Sequence, residues 1–190
     1  MMTKTKALTY KEYLALPETM QRYEIIDGEL IMPPAPTPDH QWILRTLVLH
    51  LQTFVAESRL GEILFAPLDI LISRDPLRTR QPDLAYFSAE RSGIRGRESI
   101  KGRQLIDQVP DLVVEILSLS NTRSDIARKL DDYRMIGVRE CWLISPEAET
   151  VEVLRLSPER IKRIALVGIG ETIRSEVLPG LNLSVDQIFE

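Results

Sequence analysis

The chain has 190 residues, 44% hydrophobic and 27% charged, a balance that fits a packed core and excludes disordered, collagen-like and coiled-coil classes. That length favours one domain over 1–190 rather than two. A formal net charge of −4 excludes an all-round basic coat for nucleic acid, and a lone cysteine excludes an internal disulfide.

Residues 1–6, Met-Met-Thr-Lys-Thr-Lys, carry no apolar signal core, and no apolar run approaches the roughly 18 residues of a membrane span. A cytoplasmic location away from membranes is therefore expected. Thr9 and Glu12 have capping-box spacing ahead of a short helix that Pro17 stops. Residues 23–26 and 29–32 flank Asp27-Gly28, the dipeptide that favours a tight hairpin turn. Pro33, Pro34, Pro36 and Pro38 make a stiff connector, after which Ile43, Leu44, Leu47, Val48, Leu51, Phe54 and Val55 recur at helical spacing up to Gly61. Residues 62–72 and 82–87 read as an antiparallel strand pair separated by a charged loop, 73–80, and 88–108 as a long exposed loop.

Residues 112–117 form a continuous apolar run broken only by Glu115, as expected of a strand buried on both faces. Asn121 or Thr122 can cap a helix running through Met135 that Gly137 closes, and 140–144 resumes as a strand in which Cys141 is a small buried hydrophobe. Residues 151–156 and 161–167 suit a terminal hairpin, and 178–189 a docked tail with a last short helix.

The chemistry concentrates on two acids. Asp83 lies in Gln81-Pro82-Asp83-Leu84-Ala85-Tyr86 and Glu115 in Val113-Val114-Glu115-Ile116-Leu117, so each places a carboxylate in an apolar strand. Such a group must be paired or hold a cation. Two acids on neighbouring strands repel, and a divalent ion offsets that repulsion; oxygen-only ligands select magnesium or manganese. A structural salt bridge at a strand end is the competing reading. On the following helix, Ile126, Leu130 and Tyr133 mark the buried stripe, and Lys129 lies about 60° from Ile126, where it can border a cleft. Its ammonium could steady a phosphate or position a water; the alternative is a surface pair with Asp125 at four-residue spacing.

Pro82-Asp83 followed by Glu115 in an apolar strand resembles the PD-(D/E)XK nuclease superfamily. Further blocks, 23–30, 36–40, 113–118, Lys129-Leu130 and 137–144, resemble the Uma-type family of restriction endonucleases over nearly the whole chain. The resemblance implies an α/β (α+β) restriction-endonuclease-like fold, a mixed β-sheet flanked by helices, and metal-dependent hydrolysis of phosphodiester bonds in nucleic acid, with DNA as the expected substrate. It implies Asp83 and Glu115 as metal ligands and Lys129 as the third catalytic group, with Mg2+ or Mn2+ as cofactor. The superfamily pattern has lysine two positions after the acid, where this chain has Leu117; in the similar family the lysine sits on the next helix, which here means Lys129.

His40, through the same resemblance, is a supporting candidate near the metal, against a helix-capping or core role. Glu24 and Glu29 flank the hairpin turn and offer an additional acid, with Glu29 carried as the candidate and a solvated hairpin face as the alternative. Between Arg74 and Arg103 cations exceed acids by four, so Arg95, Arg97 and Lys101 are candidates for phosphate contacts. A merely solvated loop is the alternative. Double-strand cutting would suggest a homodimer. The rival to a nuclease is a nuclease-fold nucleic-acid-binding or assembly module with weak or no catalysis, for which Leu117 is the sequence argument.

Overall fold

The computed structural model describes residues 7–17 and 22–190; the expectation about residues 1–6 lies outside them. No helix among the described residues is long and apolar enough to cross a membrane. In chain order the elements are α1 (Tyr10–Tyr13), β1 (Glu24–Ile26), β2 (Glu29–Ile31), α2 (Pro38–Glu57), β3 (Gly61–Phe65), β4 (Ile70–Arg74), β5 (Leu77–Arg80), β6 (Leu84–Ser88), α3 (Ala89–Ser92), β7 (Leu112–Ile116), α4 (Arg123–Ile136), β8 (Glu140–Ser145), β9 (Thr150–Leu156), β10 (Ile161–Val167), β11 (Thr172–Ile173), β12 (Leu183–Ser184) and α5 (Asp186–Phe189).

Six strands form a mixed sheet in the order β10-β9-β8-β7-β6-β3. Within it only β7 and β8 run parallel, and α4 makes the crossover that parallel neighbours require. Side chains alternate across β7, and the two faces meet different helices. Leu112, Val114 and Ile116 pack with Ile43, Leu47 and Leu51 of α2. Val113 packs with Tyr133 of α4, so Glu115, of the same parity, also faces α4. The apolar tail around β12 and α5 closes the α2-side core through Leu183, Val185 and Ile188.

The helix boundaries follow local chemistry. Thr122 caps α4 in a reciprocal box with Asp125, and Gly137, at φ 92°, ends it in the left-handed conformation. Thr37 caps α2 and Pro38 occupies its first turn, so the proline run ends inside the helix and not before it. Asp27 and Gly28 both have positive φ, as the tight β1–β2 turn demands.

Three expectations change. The strand expected over 62–72 is two strands in different sheets, because Pro67, which has no N–H to give a ladder, separates β3 from β4. The loop expected at 73–80 is the β4–β5 hairpin of a second sheet, ordered β2-β1-β5-β4. Its charged residues belong to a strand because Arg78 and Arg80 are paired to Asp132 of α4. The segment 88–108 is not wholly exposed: Ile94, Leu105 and Ile106 are buried, and Ile106 forms a bridge with Ile70.

The pairing of β3 with β6 leaves no room at its first residue. Gly61 has φ 155°, and a Cβ there would stand 2.0 Å from the Phe87 carbonyl oxygen. Gly61→Ala should therefore lower the free energy of unfolding by about 2 kcal/mol or more, read as a lower urea midpoint at unchanged slope.

Candidate active site

The β6–β7 register pairs Leu84 with Val114, and extending it by one residue sets Asp83 opposite Glu115. Both acids are buried, and both line a cleft of 670 Å³ with Arg22, Glu24, His40 and Leu117. The β1–β2 hairpin and its pairing to β5 bring Arg22 and Glu24 to this end of the sheet, and the first turn of α2 brings His40.

Around Asp83 stand three polar partners. Ile116 N donates to Oδ2 at 2.7 Å, His40 Nε2 lies 3.3 Å from the same oxygen, and Arg22 Nη1 lies 2.8 Å from Oδ1. The arginine approaches Oδ1 out of hydrogen-bonding line, so Oδ1 accepts no hydrogen bond despite the short distance. Among the described residues, four buried side-chain polar atoms lack a hydrogen-bond partner: Arg22 Nε, His40 Nδ1, Asp83 Oδ1 and Gln81 Oε1. Three of the four converge on Asp83. Burial pushes the Asp83 carboxyl up, but the His40 hydrogen bond, the Arg22 charge and the Ile116 N–H outweigh it and hold the group below its ordinary value.

Glu115 is held from α4. Lys129 Nζ donates to its Oε2 at 2.8 Å and Tyr133 Oη to its Oε1 at 2.5 Å. The same ammonium lies 3.2 Å from Glu24 Oε1, and Glu24 Oε2 accepts from Arg80, which also grips Asp132. The result is a buried run of alternating charge, Asp132–Arg80–Glu24–Lys129–Glu115, ending across from Asp83. Burial alone would lower the lysine, but Glu115 and Glu24 outweigh it and hold Lys129 up at about 12, so it is charged at neutral pH. Burial, followed by the Asp83 and Glu24 charges, raises Glu115 against the pull of Lys129. Its neighbour Glu24 is lowered: Lys129 and Arg80 together overcome the cost of burying it.

Asp83, Glu115, Lys129 and His40 therefore come together. Lys129 does not pair with Asp125, which is engaged by Arg128 and the Thr122 cap. Glu29 stands apart, exposed on β2, while Glu24, the other acid of the hairpin, is the one at the site. Arg95, Arg97 and Lys101 follow β6 at its far end from Asp83: Gly96 N bonds Glu62, whose register partner is Phe87. One site residue, Arg22, went unmarked in the sequence, with no motif around it. Glu24 was offered beside Glu29 but not carried as the candidate, although it breaks the apolar run 23–26 as Glu115 breaks 112–117, and that signal could have decided between them.

The oxygen-only pair fits a hard divalent ion such as magnesium, which takes one or two carboxylates and fills its remaining positions with water and phosphate oxygens. Asp83 Oδ1, buried at the cleft without a hydrogen bond, is the observation that supports the fit. No group of three or more His, Cys, Asp or Glu side chains with metal-binding geometry occurs among the described residues.

Removing Lys129 would leave buried Glu115 without a cationic partner and Glu24 with Arg80 alone. Lys129→Met should cost about 3–5 kcal/mol at pH 7. The deficit should shrink as the pH falls and the freed acids take up protons, since the lost pairing matters only while they are charged. Thermal melts of both proteins at pH 7 and pH 5 read this difference; an equal deficit at both would make the lysine a packing element only.

The Uma2 family model, described as "Putative restriction endonuclease", matches residues 10–186. The fold is similar to a solved structure of a "putative nuclease belonging to DUF820" from Anabaena variabilis ATCC 29413, with a TM-score of 0.77 at 23% identity, covering 96% of this chain and 97% of that one. No curated protein matches the sequence. With 10–186 under the family model, the chain belongs to the Uma2 family.

Proposed function

We propose that the chain works as a single-domain, metal-dependent nuclease that hydrolyses phosphodiester bonds, with DNA as substrate and the cytoplasm as its place of action. The observation that carries this reading is the facing pair Asp83 and Glu115 at a cleft, with Lys129 on one acid and Arg22 on the other. Family membership and the nuclease-like fold support it. A homodimer, with one centre for each strand, would account for double-strand cutting.

Asp83 and Glu115 would hold magnesium or manganese. When bound, the ion supplies Lewis-acid polarisation of the phosphate and lowers the proton affinity of the attacking water. In hydrolysis the water oxygen bonds to phosphorus and loses a proton to solvent, while the P–O bond to the leaving oxygen breaks and that oxygen gains a proton. Lys129, charged at neutral pH, has no lone pair to act as a base. Its role is to orient the water through hydrogen bonding and to stabilise the negative charge that grows on the phosphate. Arg22, anchored by its 2.7 Å bond to the Gln81 carbonyl and meeting Asp83 without a well-aligned bond, would offer its remaining N–H groups to a phosphate once a cation neutralises that acid. Tyr133 fixes the Glu115 carboxylate, so the acid keeps one orientation. The cations of 95–101, at the far end of β6, would contact backbone phosphates away from the cut.

A binding or assembly module without chemistry is the second reading. It is favoured by one observation, that Asp83 and Glu115 each already have a cationic partner.

Supercoiled plasmid separates the two. The nuclease reading expects nicking with magnesium or manganese, none with chelator, and a loss of about a hundredfold or more in Asp83→Asn with DNA binding retained. Wild-type protein that binds DNA in a salt-dependent way yet leaves it intact with either metal would establish the module.

A further inference from the structure

Glu24 is a buried acid that the proposed reaction leaves without a task. It lines the cleft with Glu115, and Lys129 and Arg80 keep it charged by holding it below its ordinary value. Both of its oxygens are engaged. Oε2 accepts from Arg80 Nη1 at 2.7 Å, while Oε1 accepts from Gln81 N at 3.3 Å and stands 3.2 Å from Lys129 Nζ. Arg80 is itself gripped by Asp132, whose Oδ2 lies 2.7 Å from Nε and 2.6 Å from Nη2. Swinging Glu24 out to serve as a metal ligand would break its Arg80 and Gln81 bonds together and leave a buried guanidinium half paired.

Lys129 donates to Glu115 Oε2 at 2.8 Å and shares its charge with Glu24. A divalent cation on Glu115 would compete with the ammonium for that carboxylate and repel it at short range. With Glu115 as its sole partner, Lys129 would either leave when metal entered or keep the metal out. Glu24 removes the conflict by offering the ammonium a second carboxylate that is tied in place and stays with the lysine. It also supplies an excess of negative charge. Without Glu24, the acids Asp83, Glu115 and Asp132 of this network are matched by Arg22, Arg80 and Lys129, with Arg78 offset by Asp27, and no net charge would remain to draw a cation in.

We propose that Glu24 is the positioning residue of Lys129, holding the ammonium in the cleft when a divalent cation takes the Glu115 carboxylate, so that metal and lysine act together. This rests on the reading of Asp83 and Glu115 as metal ligands. The N–H groups that Lys129 does not spend on Glu24 are then left for water or phosphate. Glu24 touches neither, and acts through the lysine.

Calorimetric titration of manganese into the protein without nucleic acid tests this apart from any cleavage. Glu24→Gln strands no charge, because Arg80 keeps Asp132 and Lys129 keeps Glu115, so the variant should fold. It should bind manganese about tenfold or more weakly than wild type, as the unshared ammonium competes for Glu115. In a Lys129→Met background the same change should alter the affinity by less than about threefold, since the competitor is gone. A loss of about tenfold in both backgrounds would make Glu24 a metal ligand and overturn the positioning role. Equal affinity of wild type and Glu24→Gln would overturn it as well. A measurement on wild type alone stands even if Lys129→Met fails to fold. In nuclear magnetic resonance of protein carrying isotope-labelled lysine, the buried Lys129 ammonium signal should persist when magnesium saturates the site, and its loss would mean that metal expels the lysine, against the proposal. Wild type that binds no manganese would instead remove the metal site itself, and this inference with it.

Discussion

Lys129 places one positive charge between two buried carboxylates, Glu24 and Glu115, and the geometry of the cleft depends on that contact. Either acid alone would be expensive to bury, and together they would repel. The ammonium ties the β1–β2 hairpin, which carries Glu24, to the central strand, which carries Glu115, through a helix that belongs to neither. Arg80 extends the tie by bridging Glu24 to Asp132 of α4, adding charge to the apolar contacts that Ile70 and Ile72 of β4 make with the clusters of β6 and β7. Such a network is weak evidence for stability, because desolvation consumes most of its Coulomb energy. It does fix position, since each member must meet its partner or remain buried and unpaired.

Asp83 completes the arrangement from the opposite strand. Its two oxygens differ: Oδ2 is fully occupied by a backbone N–H and His40, whereas Oδ1 faces a cation without accepting a hydrogen bond. A scaffold acid would have both oxygens satisfied, as buried Glu140 has through Trp142 and the Glu176 N–H. Glu140 and Asp83, two buried acids of the same molecule, thus differ in that Asp83 Oδ1 has an ion-pair neighbour but no hydrogen bond, a contrast that supports the proposal of Asp83 as a metal ligand.

Much of this was legible before any coordinates. Asp27-Gly28, the Thr122 cap with Gly137, and the apolar run around Glu115 each encode their structure locally, through turn chemistry, capping and periodicity. The β4–β5 hairpin was not legible, because a strand whose arginines are paired to acids far along the chain reads as a solvated loop. The choice between Glu24 and Glu29 was closed to local reasoning for the same cause. Both flank one turn, and only Lys129 and Arg80, 105 and 56 positions away by number, decide which acid is buried. Where tertiary partners pay the desolvation cost, sequence pattern loses its meaning.

Because both acids already have cationic partners, stability in chelator alone does not separate a metal site from a salt bridge; the response to metal does. The most direct measurement is the melting temperature of wild type and of Asp83→Asn with Glu115→Gln, each with chelator and with manganese. A ligand that binds only the folded state at about 100 times its Kd adds roughly 2.7 kcal/mol, so the wild type should melt visibly higher with manganese and the double variant should not move. No rise in the wild type, or an equal rise in both proteins, would contradict a metal site built from Asp83 and Glu115.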